Sequence, residues 1–156
     1  MKGYARWYDL DLKEVIDLRS RFFEPRDDYR MIAASALDSA WMEQVGVQGR
    51  VLIVAEGLLM YFDGEQVRSL LAALADRFPG AELLIEMLAP ILVDRIRYHD
   101  TVKNGATFRW SEVDARALER YDDRIRYDGQ WSYFDYCPAR WRYLRLLGPF
   151  AWVRAT

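Results

Sequence analysis

A carboxylate that follows a predicted β-strand is the most chemically informative pattern in this sequence, and it occurs twice. The apolar run 51–55 stops at Glu56, and an aromatic-rich strand predicted over Tyr4–Leu10 is followed by Asp11. Open parallel sheets bind ligands at the carboxyl ends of their strands, so acids in these places are candidates for ligand contact. Ionised carboxylates are strong hydrogen-bond acceptors, which suits the vicinal hydroxyls of a ribose.

Each of these acids also has a purely structural interpretation. Asp11 would be the N-cap of the following helix, and Asp9 a solvated turn residue; spacing alone favours this structural interpretation for the pair. Glu56 would point into water while Gly57 permits a tight turn, and here spacing alone favours neither interpretation. The residues by themselves therefore leave both roles open.

The periodicity of the apolar residues predicts strands that alternate with helices. We predict strands over 4–10, 29–34, 50–55 and 82–88, weaker strands over 124–127 and 150–155, and helices over 12–23, 39–44, 65–78, 91–99, 111–121 and 139–147. The helix Glu65–Phe78 is the clearest, because it has one apolar stripe and follows a capping-box pattern formed by Asp63 and Gln66. The run 50–55 predicts a strand that is covered on both faces. This alternation predicts one α/β domain over residues 1–156, with an open sheet and helices on both faces.

Composition argues against several classes of function. The 156 residues are 52% apolar and 29% charged, as in soluble globular proteins, and the net charge of −2 argues against nucleic-acid binding. No apolar run is long enough to span a membrane, and we see no signal peptide, so we expect a cytoplasmic protein without membrane contact. The single histidine, His99, and the single cysteine, Cys137, form no metal-ligand cluster, so we expect no metal. The aromatic-rich segment 131–143 would pack on the sheet or line an apolar cavity.

Three blocks, residues 6–19, 32–41 and 51–62, agree in residue type, order and spacing with one known family. The last block contains the run Ala-Glu-Gly-Leu-Leu-Met-Tyr. Together the blocks resemble the leucine carboxyl methyltransferase family, which consists of class I S-adenosylmethionine-dependent enzymes. Within that family they are most similar to the branch of polyketide O-methyltransferases of the tetracenomycin type.

The resemblance implies a Rossmann-like, mostly parallel sheet and S-adenosylmethionine as the cofactor. It implies methyl transfer to a carboxylate or phenolic hydroxyl of a small molecule or polyketide. Glu56 matches an acid near the methionine end of the cofactor and the methyl acceptor, and Tyr61 would line the acceptor pocket. No residue is assigned as a catalytic base, and the scarcity of histidine favours a carboxylate or an acidic phenol as acceptor.

The resemblance also implies which residues hold the adenosine part of the cofactor. Asp9 or Asp11 would hold the ribose, and Asp11 is the better match. Ser35 and Ala36 fall where the family contacts the adenine. Ser35 replaces an aspartate that is frequent there, so a charge at the adenine amine is lost.

One part of the family pattern is absent. Family members have a first strand with a glycine-rich loop about 20 residues before the ribose acid, whereas this chain begins almost at the second strand. The resemblance therefore implies an N-terminally truncated domain, and the truncation would make it inactive if the loop is essential. Two alternatives remain: a non-catalytic remnant that binds a partner, or a second copy, through exposed sheet edges, and an unrelated α/β nucleotide-binding module.

Overall fold

The computed structural model describes residues 6–47, 49–88 and 107–131, and the chain divides into two compact units, Met1–Gly49 and Arg50–Thr156. Among the described residues each unit contains one two-stranded parallel sheet. In the first unit the elements are β1 (Trp7–Asp11), α1 (Lys13–Arg19), β2 (Tyr29–Ala33) and a 3₁₀ helix (Ser39–Gln44). In the second unit they are β3 (Leu52–Ala55), a 3₁₀ helix (Leu59–Tyr61), α2 (Gly64–Arg77), β4 (Glu82–Ile85) and a 3₁₀ helix (Ala115–Arg120). These elements form an α/β structure, as the sequence predicts.

In the first unit α1 connects two strands that pair in parallel. The register runs from Trp7 opposite Tyr29 to Asp11 opposite Ala33. Parallel strands need a crossover connection, and α1 supplies it while burying Ile16. The 3₁₀ helix Ser39–Gln44 lies where the sequence predicts a short helix, and it buries Trp41 and Met42.

The prediction that Asp11 is the N-cap of α1 is wrong. Asp11 is the last residue of β1, and Leu12 is the N-cap. Strand pairing overrides the capping signal, because the carbonyl of Asp11 accepts a further ladder hydrogen bond from the Ala34 amide at 3.0 Å. The helix also ends at Arg19, before the predicted end at Phe23.

In the second unit α2 connects β3 to β4, which pair in parallel from Leu52 opposite Glu82 to Ala55 opposite Ile85. The predicted capping box is confirmed: the Gln66 amide donates to Asp63 Oδ1 and the Asp63 amide donates to Gln66 Oε1, both at 2.9 Å. The predicted apolar stripe is confirmed as well, since its members are all buried: Val67, Leu70, Leu71 and Leu74.

The segment after residue 106 packs against α2. The Arg124 guanidinium bonds the Asp76 carboxylate and lies 3.5 Å from the Ala72 carbonyl, and the Arg68 guanidinium stacks over the Tyr121 ring. Arg124 also binds Asp122, and this pairing holds the pKa of Asp122 well below its usual range.

The strand predicted over 124–127 is absent, because Asp122 Oδ1 instead accepts a hydrogen bond from the Arg124 amide at 2.9 Å and holds this segment in a turn.

The prediction that 50–55 is a strand covered on both faces is wrong. Leu52 is 61% exposed and Val54 is 49% exposed. Both side chains point to the same face of β3, because successive strand residues alternate between faces. An apolar run identifies a strand, but whether it is covered depends on elements elsewhere in the chain.

Some predicted features lie outside the described residues: the helices 91–99 and 139–147, the strand 150–155, His99, Cys137 and all but the start of the aromatic segment 131–143. Within the described ranges no helix is long and apolar enough to cross a membrane. The same ranges contain no group of three or more His, Cys, Asp or Glu side chains placed to hold a metal ion.

The capping box of α2 gives a direct test of this local structure. We expect Asp63→Ala to lower the free energy of unfolding by about 1 kcal/mol, because the first turn of α2 loses the acceptor for the Gln66 amide. Asp63→Ser, which retains a capping oxygen, should lose much less. Urea unfolding of the full chain measures both, with the exposed Glu65→Ala as the matched control. Equal stability of Asp63→Ala and the wild type would contradict the assignment.

Candidate functional site

Asp11 lies at the carboxyl end of β1 with its side chain exposed. Its Oδ1 accepts a hydrogen bond from the Leu12 amide at 2.8 Å, at the point where the chain turns into α1. The backbone is held on the other side by the bond from Ala34. The result is a charged carboxylate on a fixed backbone at the edge of a parallel pair, where such sheets bind ligands.

Asp9, two residues earlier, is fully engaged by its neighbours. Its Oδ2 accepts from the Tyr29 hydroxyl and lies beside Arg19 Nε, each at 2.6 Å, and its Oδ1 accepts from Trp7 Nε1 at 2.7 Å. Only 17% of its side chain is exposed. Burial raises the pKa of Asp9, but the bonds from Tyr29 and Trp7 and the Arg19 charge outweigh burial, so the pKa is lowered overall. Asp9 therefore ties α1 to the sheet.

The turn that follows β2 contains Ser35 and Ala36, both half-buried. Ser35 Oγ accepts from the Leu37 amide at 3.2 Å, and the Ser35 carbonyl accepts from the Asp38 amide at 3.0 Å. The Ala36 carbonyl accepts from Trp41 Nε1 at 3.2 Å. The turn is therefore fixed by three hydrogen bonds, and the Ser35 hydroxyl keeps its hydrogen as a donor. Asp11 and this turn lie at the same end of the β1–β2 pair, because Asp11 is opposite Ala33.

Glu56 follows β3 directly and is exposed. The next residue, Gly57, has φ +63°, a left-handed conformation that favours glycine. Its amide donates to Glu86 Oε2 at 2.8 Å. Glu86 comes directly after β4, which ends at Ile85. The sequence predicts a strand over 82–88, which places Glu86 inside the strand, so it was not recognised as an acid at a strand end. The structure thus brings two carboxylates to the carboxyl end of the β3–β4 pair.

Tyr61 ends the 3₁₀ helix Leu59–Tyr61 and is 36% exposed. Its ring lies against Phe108, with 5.1 Å between the ring centroids and 44° between the planes. The contact is anchored by the backbone, because the amides of Arg109 and Trp110 both donate to the Met60 carbonyl, at 2.8 and 3.3 Å. Phe108 was missed because nothing local in the sequence signals a partner 47 residues from Tyr61.

Two curated proteins are similar to this chain. The tetracenomycin polyketide synthesis O-methyltransferase TcmP of Streptomyces glaucescens is 33% identical over 132 residues, which are 84% of this chain and 49% of TcmP. The S-adenosyl-L-methionine-dependent methyltransferase dpfgK of Gibberella zeae is 30% identical over 134 residues, covering 78% of this chain and 45% of dpfgK. The chain thus spans about half the length of the curated relatives it matches. No family model and no solved structure matches it.

The engagement of Asp9 predicts a pH dependence of stability. Because its pKa is lower in the folded chain, Asp9 stabilises the fold fully above its unfolded-state pKa of about 3.9, and this contribution is lost as the pH falls through the lowered value. We expect Asp9→Asn to cost about 1–3 kcal/mol at pH 7, and the difference from wild type to shrink on acidification. Urea unfolding from pH 7 to pH 3 measures it.

The matched control for this series is Asp27→Asn, at an exposed position in the same unit. It should follow the wild-type stability over the whole pH range. A constant difference between Asp9→Asn and the wild type from pH 7 to pH 3 would contradict the assigned role of the Asp9 network.

Proposed function

Because this chain belongs to the tetracenomycin-type O-methyltransferase family, we propose that it functions in S-adenosylmethionine-dependent O-methylation on a Rossmann-like, mostly parallel sheet. The observation that supports this most is the placement of exposed acids at the carboxyl ends of parallel strands: Asp11 ends β1, and Glu56 follows β3. In open α/β sheets this is the end at which nucleotide cofactors bind.

The chemistry of the available side chains fits such a cofactor. The exposed Asp11 carboxylate suits the two ribose hydroxyls, because an ionised carboxylate can accept both hydrogens. The Ser35 hydroxyl hydrogen can be donated to a ring nitrogen of adenine, beside Ala36. The Glu56 carboxylate has the charge that complements the positive sulfonium and ammonium groups of the methionine end. Asp9 is the less suitable ribose ligand, because Tyr29, Trp7 and Arg19 already occupy its oxygens.

When bound, S-adenosylmethionine supplies an electrophilic methyl group, so the protein has to supply alignment and a site that excludes water. In this proposal Asp11 fixes the adenosine part and Glu56 orients the methionine end or the acceptor. The pair formed by Tyr61 and Phe108 offers two apolar ring faces, inclined at 44° to one another, against which an acceptor ring can pack. A carboxylate acceptor is already nucleophilic and needs no base, whereas a phenol gains from one. We therefore propose a carboxylate or an acidic phenol of a small molecule or polyketide as the acceptor.

A second candidate function is partner binding without catalysis. Exposed apolar side chains on the β3–β4 pair favour it: Leu52, Val54, Leu83 and Leu84. Sheet edges and apolar strand faces of this kind associate with other strands. This candidate predicts a folded chain that binds no cofactor, so one binding experiment distinguishes the two.

Calorimetry with S-adenosylhomocysteine is that experiment. We expect the full chain to bind with micromolar affinity, about −8 kcal/mol. Asp11→Asn should weaken binding at least about tenfold, because it removes a charged acceptor while its amide oxygen can still accept from the Leu12 amide. The matched control, Asp27→Asn, should bind like the wild type. A folded chain that binds no S-adenosylhomocysteine would contradict the proposal and favour partner binding.

The acceptor class is tested by methyl transfer from labelled S-adenosylmethionine to three matched aromatic compounds: a carboxylate, an acidic phenol and a benzylic alcohol. We expect transfer to the carboxylate or the phenol and little to the alcohol, because neither of the first two requires a strong base at neutral pH. Transfer to the alcohol alone would contradict the proposed acceptor class.

A further inference from the structure

Glu86 binds the backbone on both sides of Glu56, and this arrangement assigns it a role that the sequence does not suggest. Its own amide donates to the Ala55 carbonyl at 3.0 Å, and its side-chain Oε2 accepts from the Gly57 amide at 2.8 Å. Ala55 and Gly57 are the two neighbours of Glu56 in the chain. We propose that Glu86 is a positioning residue that sets the direction of the Glu56 carboxylate, and this inference rests on the function proposed for Glu56.

The hydrogen bond to Ala55 is made by the backbone of Glu86, whereas the hydrogen bond from Gly57 is made by its side chain. The bond to Ala55 continues the parallel ladder, in which Ala55 is opposite Ile85, and any residue except proline can make it at position 86. The bond to Gly57 depends on the side chain. It requires an acceptor at the end of a side chain as long as that of glutamate, placed one residue beyond the strand. The identity of residue 86 thus decides whether the backbone after Glu56 is held.

The hydrogen bond from the Gly57 amide matters because the backbone of a glycine is more flexible than that of any other residue. Glycine loses more backbone freedom on folding than any other residue, and at φ +63° it occupies only one of several conformations open to it. Without the Glu86 acceptor the Gly57 amide would bond to water, and the peptide after Glu56 would sample other orientations. Glu86 is half-buried, so its own side chain is partly ordered by its surroundings, whereas Glu56 is exposed and needs its backbone fixed to point in one direction.

Three substitutions of Glu86 distinguish the effect of its hydrogen bond to Gly57 from the effect of its negative charge. Glu86→Gln retains an oxygen at the same distance and removes the charge. Glu86→Asp retains the charge but is one methylene too short to reach Gly57, and Glu86→Ala removes both. Glu82→Ala is the matched control, because Glu82 begins the strand that Glu86 follows and its side chain pairs with Arg50 at the surface.

The first readout needs no ligand: hydrogen exchange of the Gly57 amide in the full chain, followed by NMR. We expect exchange to become roughly tenfold faster in Glu86→Ala and Glu86→Asp and to stay near wild type in Glu86→Gln and Glu82→Ala. The Leu71 amide in α2 is the internal reference for folding, and it should stay protected in every variant. Fast exchange of the Gly57 amide in the wild type, or unchanged exchange in Glu86→Ala, would overturn the proposal.

The second readout is affinity for S-adenosylhomocysteine. We expect Glu86→Ala and Glu86→Asp to bind about tenfold more weakly than the wild type, and Glu86→Gln to restore wild-type affinity. Loss of affinity in Glu86→Gln as well would show that charge is what counts, and would overturn the positioning role. If the wild type binds no S-adenosylhomocysteine, the proposed function fails, and the exchange of the Gly57 amide alone decides whether Glu86 orders the backbone at Glu56.

Discussion

Parallel strand pairing is the constraint on which the rest of this structure depends. A parallel pair cannot be closed by a tight turn, so each pair needs a crossover, which α1 and α2 supply. The same geometry brings the carboxyl ends of paired strands to one edge. Residues that follow β1 and β2 therefore share one edge of the first unit, and residues that follow β3 and β4 share one edge of the second. Four candidate site residues are found in these places or in the turn directly after them: Asp11, Ser35, Ala36 and Glu56. Asp9 lies within β1, and Tyr61 ends the 3₁₀ helix Leu59–Tyr61.

Asp9 and Asp11 look equivalent in the sequence, but their surroundings in the fold give them different roles. Asp9 and Asp11 are two residues apart on the same face of β1, yet Asp9 is enclosed by Tyr29, Trp7 and Arg19 while Asp11 is exposed. A carboxylate whose oxygens already accept strong hydrogen bonds stabilises the fold, and a carboxylate that is exposed on a fixed backbone is free to bind a ligand. Glu86 and Glu56 divide the same two tasks in the second unit, since Glu86 binds the Gly57 amide and Glu56 is exposed.

Features determined by local interactions were predictable from the sequence, and features determined by distant residues were not. The capping box and buried stripe of α2 involve residues within one or two turns, and both predictions are confirmed. Asp11 is not an N-cap, because pairing with β2 extends β1, and β3 is not covered on both faces, because cover comes from elsewhere in the chain. The contact of Phe108 with Tyr61 is equally non-local. Glu86 was missed for a related reason: the apolar pattern predicts a strand through residue 88, whereas β4 ends at Ile85, and the bond of Glu86 to Gly57 depends on the register of β3 and β4.

The central claim is that the exposed acid at the end of β1, together with the turn after β2, binds the adenosine part of the cofactor. The most direct measurement is an NMR titration of the full chain with S-adenosylhomocysteine, in which backbone amides report on binding residue by residue. The account predicts that the amides of Asp11, Leu12, Ser35 and Ala36 shift together, with one common dissociation constant. The absence of any shift, or shifts confined to residues remote from this strand end and turn, would contradict it.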